Sequence, residues 1–254
     1  MAPPTQKTTL IFAAGSWYPS NAFDPLCSIL QSQGYVTKSV AWPSTSRASA
    51  IKDLSEDIAT LRALIEPEVL NGGDVVVIAH SWAGLPVNSG LEGLMKPKPS
   101  TGAEAGGDRG GVVKLLFISA FLPEVGESVI STFGREAEWY VKDEQNNTVF
   151  PTTPFELLFH DVPDGRAWAE TLRPFSWATT NSRATGAAYL SIPSSYLFCE
   201  EDQAIPLFGQ QAMVDKAREN GAQMRTETVK TGHTPWLVDG EWVAGWIRRE
   251  IEQE

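Results

Sequence analysis

The sequence predicts an α/β protein in which a mostly parallel central sheet carries helices on both faces. Apolar segments of strand length alternate along the chain with segments of helical periodicity, and this alternation is typical of parallel sheets. The segment Val75–Ala79 is apolar at every position, as expected for a central strand that helices cover on both sides. With 254 residues, the chain is long enough for one such core and an insertion.

Six apolar segments are predicted to form the strands of this sheet. They are residues 9–14, 35–41, 74–79, 113–119, 195–199 and 224–229. Four other segments have apolar residues at spacings of three and four and are predicted to be amphipathic helices that pack on the sheet. They are residues 23–33, 48–65, 210–220 and 241–251.

Two segments interrupt the alternation. Residues 96–112 are rich in glycine and proline and are predicted to form a surface loop. Residues 121–190 contain no further strand of the main sheet. Helical segments are predicted there over residues 136–141, 155–160 and 165–172.

The second interruption predicts a cap. Residues 121–190 carry 11 of the 25 aromatic residues, which predicts a small lid over an apolar cavity, although any single aromatic there is more often part of ordinary packing. We therefore expect residues 1–120 and 191–254 to form the core, with residues 121–190 inserted as a mainly helical cap.

Composition restricts the partners and the compartment. The net charge of −11 disfavours nucleic acid and anionic membranes as partners, so the expected partner is a small-molecule substrate. The protein is expected to be a monomer or a homodimer. The first residues do not have the pattern of a signal peptide and the two cysteines are far apart, which predicts a cytoplasmic protein without disulfides. Three scattered histidines disfavour a metal enzyme, and neither a phosphate-binding loop nor a dinucleotide-binding motif follows any predicted strand.

Ser81 is the candidate nucleophile. It follows the apolar strand 75–79 directly and precedes a helix-compatible segment. A catalytic serine on a strained turn between strand and helix needs small residues two positions before and after it. Ala79 and Ala83 meet this need, and Gly84 adds room. An ordinary serine at a strand end is the alternative interpretation, since the usual flanking glycines are alanines here.

A serine nucleophile needs a general base, and His233 is the best candidate. It lies between the predicted last strand and the last helix, so it belongs to a loop at the carboxyl edge of the sheet. His80 adjoins Ser81, and its ring is expected to point away from the site and to have a structural role. His160 lies in the predicted cap.

The acid that orients the base should precede it in the chain. Three carboxylates, Glu200, Glu201 and Asp202, follow the strand 195–199, and Asp202 is preferred, with Glu201 second. The alternative is that these residues only cap the following helix, because acidic residues gather at helix N-termini.

Backbone amides are the expected donors to an oxyanion, and the cavity is expected to be aromatic. One amide belongs to Trp82, and the other belongs to Ser16 or Trp17 in the loop after the first strand, where Ser16 is preferred. A tight turn without a catalytic role is the alternative for this loop. The predicted substrate-binding residues are Trp17, Trp139, Phe159 and Trp236.

Four sequence blocks resemble the α/β-hydrolase superfamily, and within it the branch of small capped esterases that includes plant methylesterases and hydroxynitrile lyases. The blocks are 11–17, 79–84, 196–206 and Gly232-His233. The resemblance implies an α/β-hydrolase fold with Ser81 as nucleophile, Asp202 as acid, His233 as base and no cofactor. Ala14 stands where a histidine is usual, and the cap matches no particular subgroup.

Three functions follow from these residues and this resemblance. The preferred one is hydrolysis of a carboxylic ester or lactone of a small apolar or aromatic molecule through an acyl-enzyme. The resemblance to the branch with hydroxynitrile lyases implies the alternative of a lyase or another enzyme that cleaves a C–C bond, in which Ser81 and His233 only move protons. The third is a non-enzymatic receptor that binds a small molecule under the cap.

Overall fold

The computed structural model describes residues 8–47, 49–97, 110–134 and 136–252. The strands in this part are β1 (Thr9–Ala13), β2 (Val36–Ser39), β3 (Asp74–His80), β4 (Gly111–Ile118), β5 (Tyr140–Asp143), β6 (Thr148–Pro151), β7 (Phe175–Ser176), β8 (Ser194–Cys199) and β9 (Met224–Val229). The helices are α1 (Asp24–Ser32), α2 (Pro43–Ser46), α3 (Ser55–Leu70), α4 (Gly84–Gly90), α5 (Val129–Phe133), α6 (Pro154–Leu158), α7 (Gly165–Thr171), α8 (Trp177–Asn181), α9 (Leu207–Glu219), α10 (Pro235–Val238) and α11 (Gly240–Glu252). Short 3₁₀ turns cover Ser81–Ala83 and Ala188–Leu190.

The predicted α/β fold is confirmed. Six strands form one sheet in the order β2-β1-β3-β4-β8-β9, and every neighbouring pair is parallel. All residues of β1 are buried, as are all residues of β3 after Asp74. Burial on both faces accounts for the continuous apolar runs, because a strand covered by helices has no solvent face to keep polar.

Helices lie on both faces of the sheet. The connection from β1 to β2 goes toward one edge of the sheet, whereas the connections to β3, β4, β8 and β9 all go toward the other edge. Because connections between parallel strands are right-handed, α1 lies on one face of the sheet and α3, α4 and α9 lie on the other. The C-terminal helix α11 packs against α1. The helix predicted over 48–65 begins only at Ser55 and continues to Leu70. Within the described ranges, no helix combines the length and the apolar character needed to cross a membrane.

The first interruption of the alternation is only partly described. Residues 98–109 of the predicted loop lie outside the described residues. The loop prediction is wrong at its C-terminal end, because β4 already begins at Gly111. Lys96 and Val112 are joined there by a backbone hydrogen bond of 3.1 Å.

The second interruption contains α5 to α8 together with a small antiparallel sheet in the order β5-β6-β7. The helix predicted over 136–141 is wrong, since β5 begins at Tyr140 and pairs with β6. A tight connection explains the strand: Asp143 accepts hydrogen bonds from Asn146, and Asn147 has a φ of 52°. Cross-strand pairing here outweighs the local helical preference of glutamate and alanine. The cap boundaries at residues 121 and 190 stay a prediction.

Candidate active site

Ser81 lies on a strained turn at the carboxyl end of β3. Its φ is 54°, a left-handed conformation that costs a non-glycine residue about 1–3 kcal/mol. The turn is held from outside, because the amide of Phe121 donates to the carbonyl of Ser81 over 3.0 Å. The chain then passes through the 3₁₀ turn into α4. The strand, turn and helix therefore present the Ser81 hydroxyl at the edge of the sheet.

Two glycines allow the backbone to approach this turn closely. A Cβ atom at Gly84 would lie 2.0 Å from the carbonyl oxygen of Phe121, so no other residue fits at this position. A Cβ atom at Gly15 would lie 2.7 Å from the Cβ of Ser81. The loop after β1 is consequently in contact with the candidate nucleophile, which is where an oxyanion donor must be.

Asp202 and His233 form a buried pair. The Nδ1 atom of His233 lies 2.7 Å from Oδ2 of Asp202, and the two residues are only 1% and 4% exposed. Oδ1 of Asp202 accepts the amides of Ala204 and Ile205 at 2.7 and 2.9 Å. An ionised carboxylate can only accept, so His233 carries its proton on Nδ1 and Nε2 is free to act as a base.

Ser119 is a further partner of Asp202 that sequence reasoning missed. Its hydroxyl donates to Oδ2, the oxygen that also binds His233. Ser119 directly follows β4, the strand beside β8, and its φ is 38°. Its position at the carboxyl end of the neighbouring strand is the signal that could have identified it.

His80 connects two loops of the site. Its Nδ1 atom accepts the amide of Gly15 at 3.3 Å, and its Nε2 atom donates to the carbonyl of His233 at 3.0 Å. An amide can only donate and a carbonyl can only accept, so the ring is neutral with its proton on Nε2. Burial, assisted by the adjacent His233, holds the pKa of His80 well below its usual value. His80 therefore joins the loop after β1 to the loop that carries His233 through one hydrogen bond at each ring nitrogen.

A narrow apolar cavity of about 50 Å³ lies over these residues. Ser81 and His233 both line it, and so do Ser16 and Trp82, whose amides are the predicted oxyanion donors. The amide of Gly15 is already bound to His80, which leaves Ser16 or Trp17 as the donor from the first loop. The remaining lining residues are mainly apolar, and most of them belong to the segment 121–190: Trp17, Phe121, Val129, Ile130, Phe133, Ala137, Trp139, Tyr140, Val149, Thr180, Ala204 and Ile205.

Trp17 joins the first loop to the segment 121–190, which is predicted to form a cap. It has a φ of 71°, and its indole N–H donates to the carbonyl of Val149 in β6 over 2.9 Å. Its own carbonyl accepts the amide of Arg173 at 2.8 Å. The ring of Trp139 contacts it edge-on, with the centroids 5.8 Å apart. Two of the predicted substrate-binding residues, Trp17 and Trp139, therefore lie together on the cavity wall.

Phe159 and Trp236 are placed differently from the prediction, since neither is among the residues that line this cavity. Both are almost completely buried. Trp236 donates its indole N–H to the carbonyl of Ala22 and contacts the ring of His80. Phe159 packs against Tyr18. They pack beneath the loops of the site in the core. The sequence shows that a residue is aromatic, but it does not show whether the side chain packs in the core or lines the cavity.

Other reactive side chains do not compete with Ser81. No group of histidine, cysteine and carboxylate residues within the described ranges is arranged to hold a metal ion. Burial raises the pKa of the Cys199 thiol well above its usual value, so it stays protonated beside Asp202. The carboxylate that Nδ1 of His233 binds is that of Asp202, whereas the carboxylate of Glu201 is exposed and lies 3.9 Å from the ammonium group of Lys230.

A serine on a strand-to-helix turn, a buried Asp-His pair and a parallel sheet define the class of the α/β hydrolases. A model of the alpha/beta hydrolase family matches residues 10–246, and the chain belongs to this family. A curated relative, the alpha/beta hydrolase nvfD of Aspergillus novofumigatus, is 27% identical over 248 residues, which cover 95% of this chain and 96% of the relative.

Solved structures show the same fold. A mutant of polyneuridine aldehyde esterase superimposes with a TM-score of 0.76 at 17% identity, covering 98% of this chain and all of the other. A pyrethroid hydrolase from Sphingobium faniae gives a TM-score of 0.73 at 15% identity, with 97% and 98% of the chains covered. At such low identity these likenesses establish the fold and leave the substrate open.

Proposed function

We propose that this protein is a serine hydrolase that cleaves a carboxylic ester or lactone through an acyl-enzyme. The observation that carries the proposal is the buried Asp202–His233 pair, which opens into the same cavity as Ser81. The carboxylate fixes the tautomer and orientation of the imidazole, and these are the conditions for a histidine to act as general base toward a serine.

The mechanism follows from the positions of these groups. Nε2 of His233 takes the proton of Ser81, and the Oγ atom attacks the ester carbonyl. The amides of Trp82 and of Ser16 or Trp17 stabilise the oxyanion. His233 then returns the proton to the leaving alcohol, and a water molecule, activated by the same histidine, releases the acid. In a lactone the leaving alcohol remains attached to the acyl group.

Names of related proteins support this substrate class. The polyneuridine aldehyde esterase and the pyrethroid hydrolase are named for an esterase and a hydrolase activity, and the fungal relative is named a hydrolase. The aromatic lining of the narrow cavity favours an apolar or aromatic ester for this chain.

The proposal is tested by replacing Ser81. Ser81→Ala should lower turnover of p-nitrophenyl acetate by at least about 10³-fold, because no other nucleophile lies at this turn. It should also abolish covalent labelling by a fluorophosphonate, with the melting temperature unchanged. Ser28→Ala, on the exposed surface of α1, is the matched control.

Three outcomes would contradict the proposal. Undiminished turnover in Ser81→Ala removes Ser81 as nucleophile. Cleavage that releases an aldehyde or ketone without an acyl group on Ser81, as measured by mass spectrometry, indicates the lyase. Ligand binding with a single slow turnover indicates the receptor.

A further inference from the structure

A second, larger cavity adjoins the narrow one. Its volume is about 610 Å³, and six residues line both cavities. The shared residues are Phe121, Phe133, Ala137, Trp139, Ala204 and Ile205. The outer cavity extends from this shared wall along the first turns of α9, with the cap segment around α5 on its other side. The two cavities are therefore neighbours, separated only by these shared residues.

The two volumes suit two very different groups. The narrow cavity of about 50 Å³ has room for only a few water molecules, so it takes the ester linkage and a group of about methyl or ethyl size. The outer cavity of about 610 Å³ lies in the range that holds a drug-sized molecule. The site is asymmetric, with a small chamber at the reacting bond and a large one next to it.

The walls of the outer cavity are suited to an apolar ring system. Phe208, at the start of α9, lines the cavity and is 76% exposed. Together with the shared residues Phe121, Phe133 and Trp139, it gives the cavity four aromatic side chains, and ligand cavities are commonly lined in this way. Beside it, a Cβ atom added to Gly209 would meet no atom within 4 Å, so the helix leaves open space there.

The charges at the outer cavity disfavour an anionic ligand, because the carboxylates of Glu127 and Glu138 line it together with Lys216. Lys216 is bound to Glu124 at 2.6 Å and to Glu127 at 2.9 Å, so its ammonium group is already neutralised by the protein. The whole chain carries a net charge of −11, which repels anions further.

We propose that the outer cavity binds the large apolar part of a neutral ester whose other part is no larger than about an ethyl group. This inference rests on the proposed ester hydrolysis for its catalytic step, and on the shared wall and the two volumes for its geometry. Phe208 and the first turns of α9 then act as specificity-determining elements, at a distance from the reacting bond.

Esters of graded shape test the asymmetry. We expect kcat/KM for 1-pyrenyl acetate or methyl pyrene-1-carboxylate to exceed that of phenyl acetate or methyl benzoate, respectively, at least tenfold. 1-Pyrenyl benzoate, which is large on both sides, should be cleaved more slowly than phenyl acetate. The proposal would be overturned if kcat/KM for 1-pyrenyl acetate and for methyl pyrene-1-carboxylate were equal to or lower than the values for their one-ring counterparts. Efficient cleavage of 1-pyrenyl benzoate would overturn it as well.

Filling the outer cavity tests its location. Gly209→Trp should lower the ratio of kcat/KM for the pyrene ester to that for its one-ring counterpart at least tenfold. Ala212→Trp, on the exposed side of α9, should do the same if the glycine variant does not fold. Leu70→Trp is the control, because Leu70 is 79% exposed at the end of α3 and should leave the ratio unchanged. An unchanged ratio in both cavity variants would overturn the proposal.

A binding measurement separates this site from the proposed reaction. Ser81→Ala should bind methyl pyrene-1-carboxylate, observed by pyrene fluorescence polarisation, and Gly209→Trp in that background should weaken Kd at least tenfold. If Gly209→Trp weakens binding but the unaltered protein does not turn the ester over, the proposed outer site is supported and the proposed hydrolase activity is wrong. Turnover of phenyl acetate without preferential binding of the pyrene ester overturns only the outer site.

Discussion

The two sides of the narrow cavity are built in different ways. On the core side, Asp202, His233 and His80 are buried, and hydrogen bonds hold each of them at more than one atom. Asp202 and His233 follow strands of the main sheet, and His80 is the last residue of one. On the side of the predicted cap, Trp139 is partly buried and lies in a turn. Phe133 is exposed and lies at the end of the five-residue helix α5.

This difference separates chemistry from specificity. Proton transfer and oxyanion stabilisation tolerate little displacement, so the groups that perform them need fixed partners. Apolar contacts with a substrate are less directional and can be changed by replacing one side chain of the cap. Loss of a core-side group should therefore change the rate strongly, whereas loss of a cap-side contact should change it moderately.

The largest effect is expected for Asp202→Asn. The amide keeps the shape of the carboxyl group but cannot stabilise the proton on Nδ1 of His233, so the imidazole takes the wrong tautomer. We expect kcat for p-nitrophenyl acetate to fall by about 10⁴-fold, measured by steady-state kinetics.

Glu201→Gln is the matched control for this prediction. Glu201 is the neighbouring carboxylate and the second candidate from the sequence, but its carboxylate lies toward Lys230, and Asp202 is the one bound to Nδ1 of His233. Its replacement should change kcat less than about twofold. A larger loss in Glu201→Gln than in Asp202→Asn would reverse the assignment of the acid.

A smaller effect is expected where the cap holds the first loop. Trp17→Phe keeps an aromatic ring on the cavity wall but removes the hydrogen bond to the carbonyl of Val149. The loop that carries an expected oxyanion donor then loses one of its restraints, so we expect kcat/KM to fall by about tenfold, equivalent to about 1.4 kcal/mol.

Trp242→Phe makes the same substitution in α11, away from the cavity, and should leave kcat/KM unchanged. If Trp17→Phe has no more effect than this control, the cap does not position the first loop.

The smallest effect on activity is expected at Asp57, which supports the junction between core and cap. Asp57 accepts the amide of Ser44, and the carbonyl of Ser44 accepts the hydroxyl of Ser176 in β7. Burial raises the pKa of Asp57 to about 7. Below about pH 4 the group is protonated in both the folded and unfolded protein. Between pH 4 and 7 only the unfolded chain ionises, so the raised pKa costs stability as the pH rises.

Asp57→Asn should therefore raise the free energy of unfolding at pH 8, by up to ~4 kcal/mol for a gap of about 3 pKa units, and have little effect at pH 4. Urea denaturation at the two pH values measures this, alongside unchanged kcat/KM at pH 8. If Asp57→Asn changed the free energy of unfolding equally at pH 4 and pH 8, or lowered it at pH 8, ionisation of Asp57 would not destabilise the folded protein.

The core side of the site could be predicted from the sequence because local pattern and chain order encode it. A continuous apolar strand followed by small residues indicated the turn at Ser81, and the ends of later strands indicated Asp202 and His233. Their catalytic roles stay predictions, but their meeting at one edge follows from parallel strands, whose carboxyl ends lie together.

The cap and the supporting contacts could not be predicted in the same way. β5 has only four residues, and its pairing with β6 depends on a turn rather than on a periodic pattern. Ser119 is 83 residues from Asp202, and only the strand order brings them together. Phe159 and Trp236 have the composition of a substrate wall but are buried in the core, because aromatic type does not distinguish packing from lining.

The bridge made by His80 has a consequence for the order in which the protein acquires its function during synthesis. One ring connects Gly15, near the start of the described chain, to a carbonyl 153 residues beyond His80 itself. A nascent chain that has emerged only as far as α9 contains the turn at Ser81 and also Asp202, but it does not yet contain the carbonyl of His233 that binds Nε2 of that ring. The loop after β1 can therefore be locked in its final position only after the segment after β9 has folded, so a partly synthesised chain is not a partly active one.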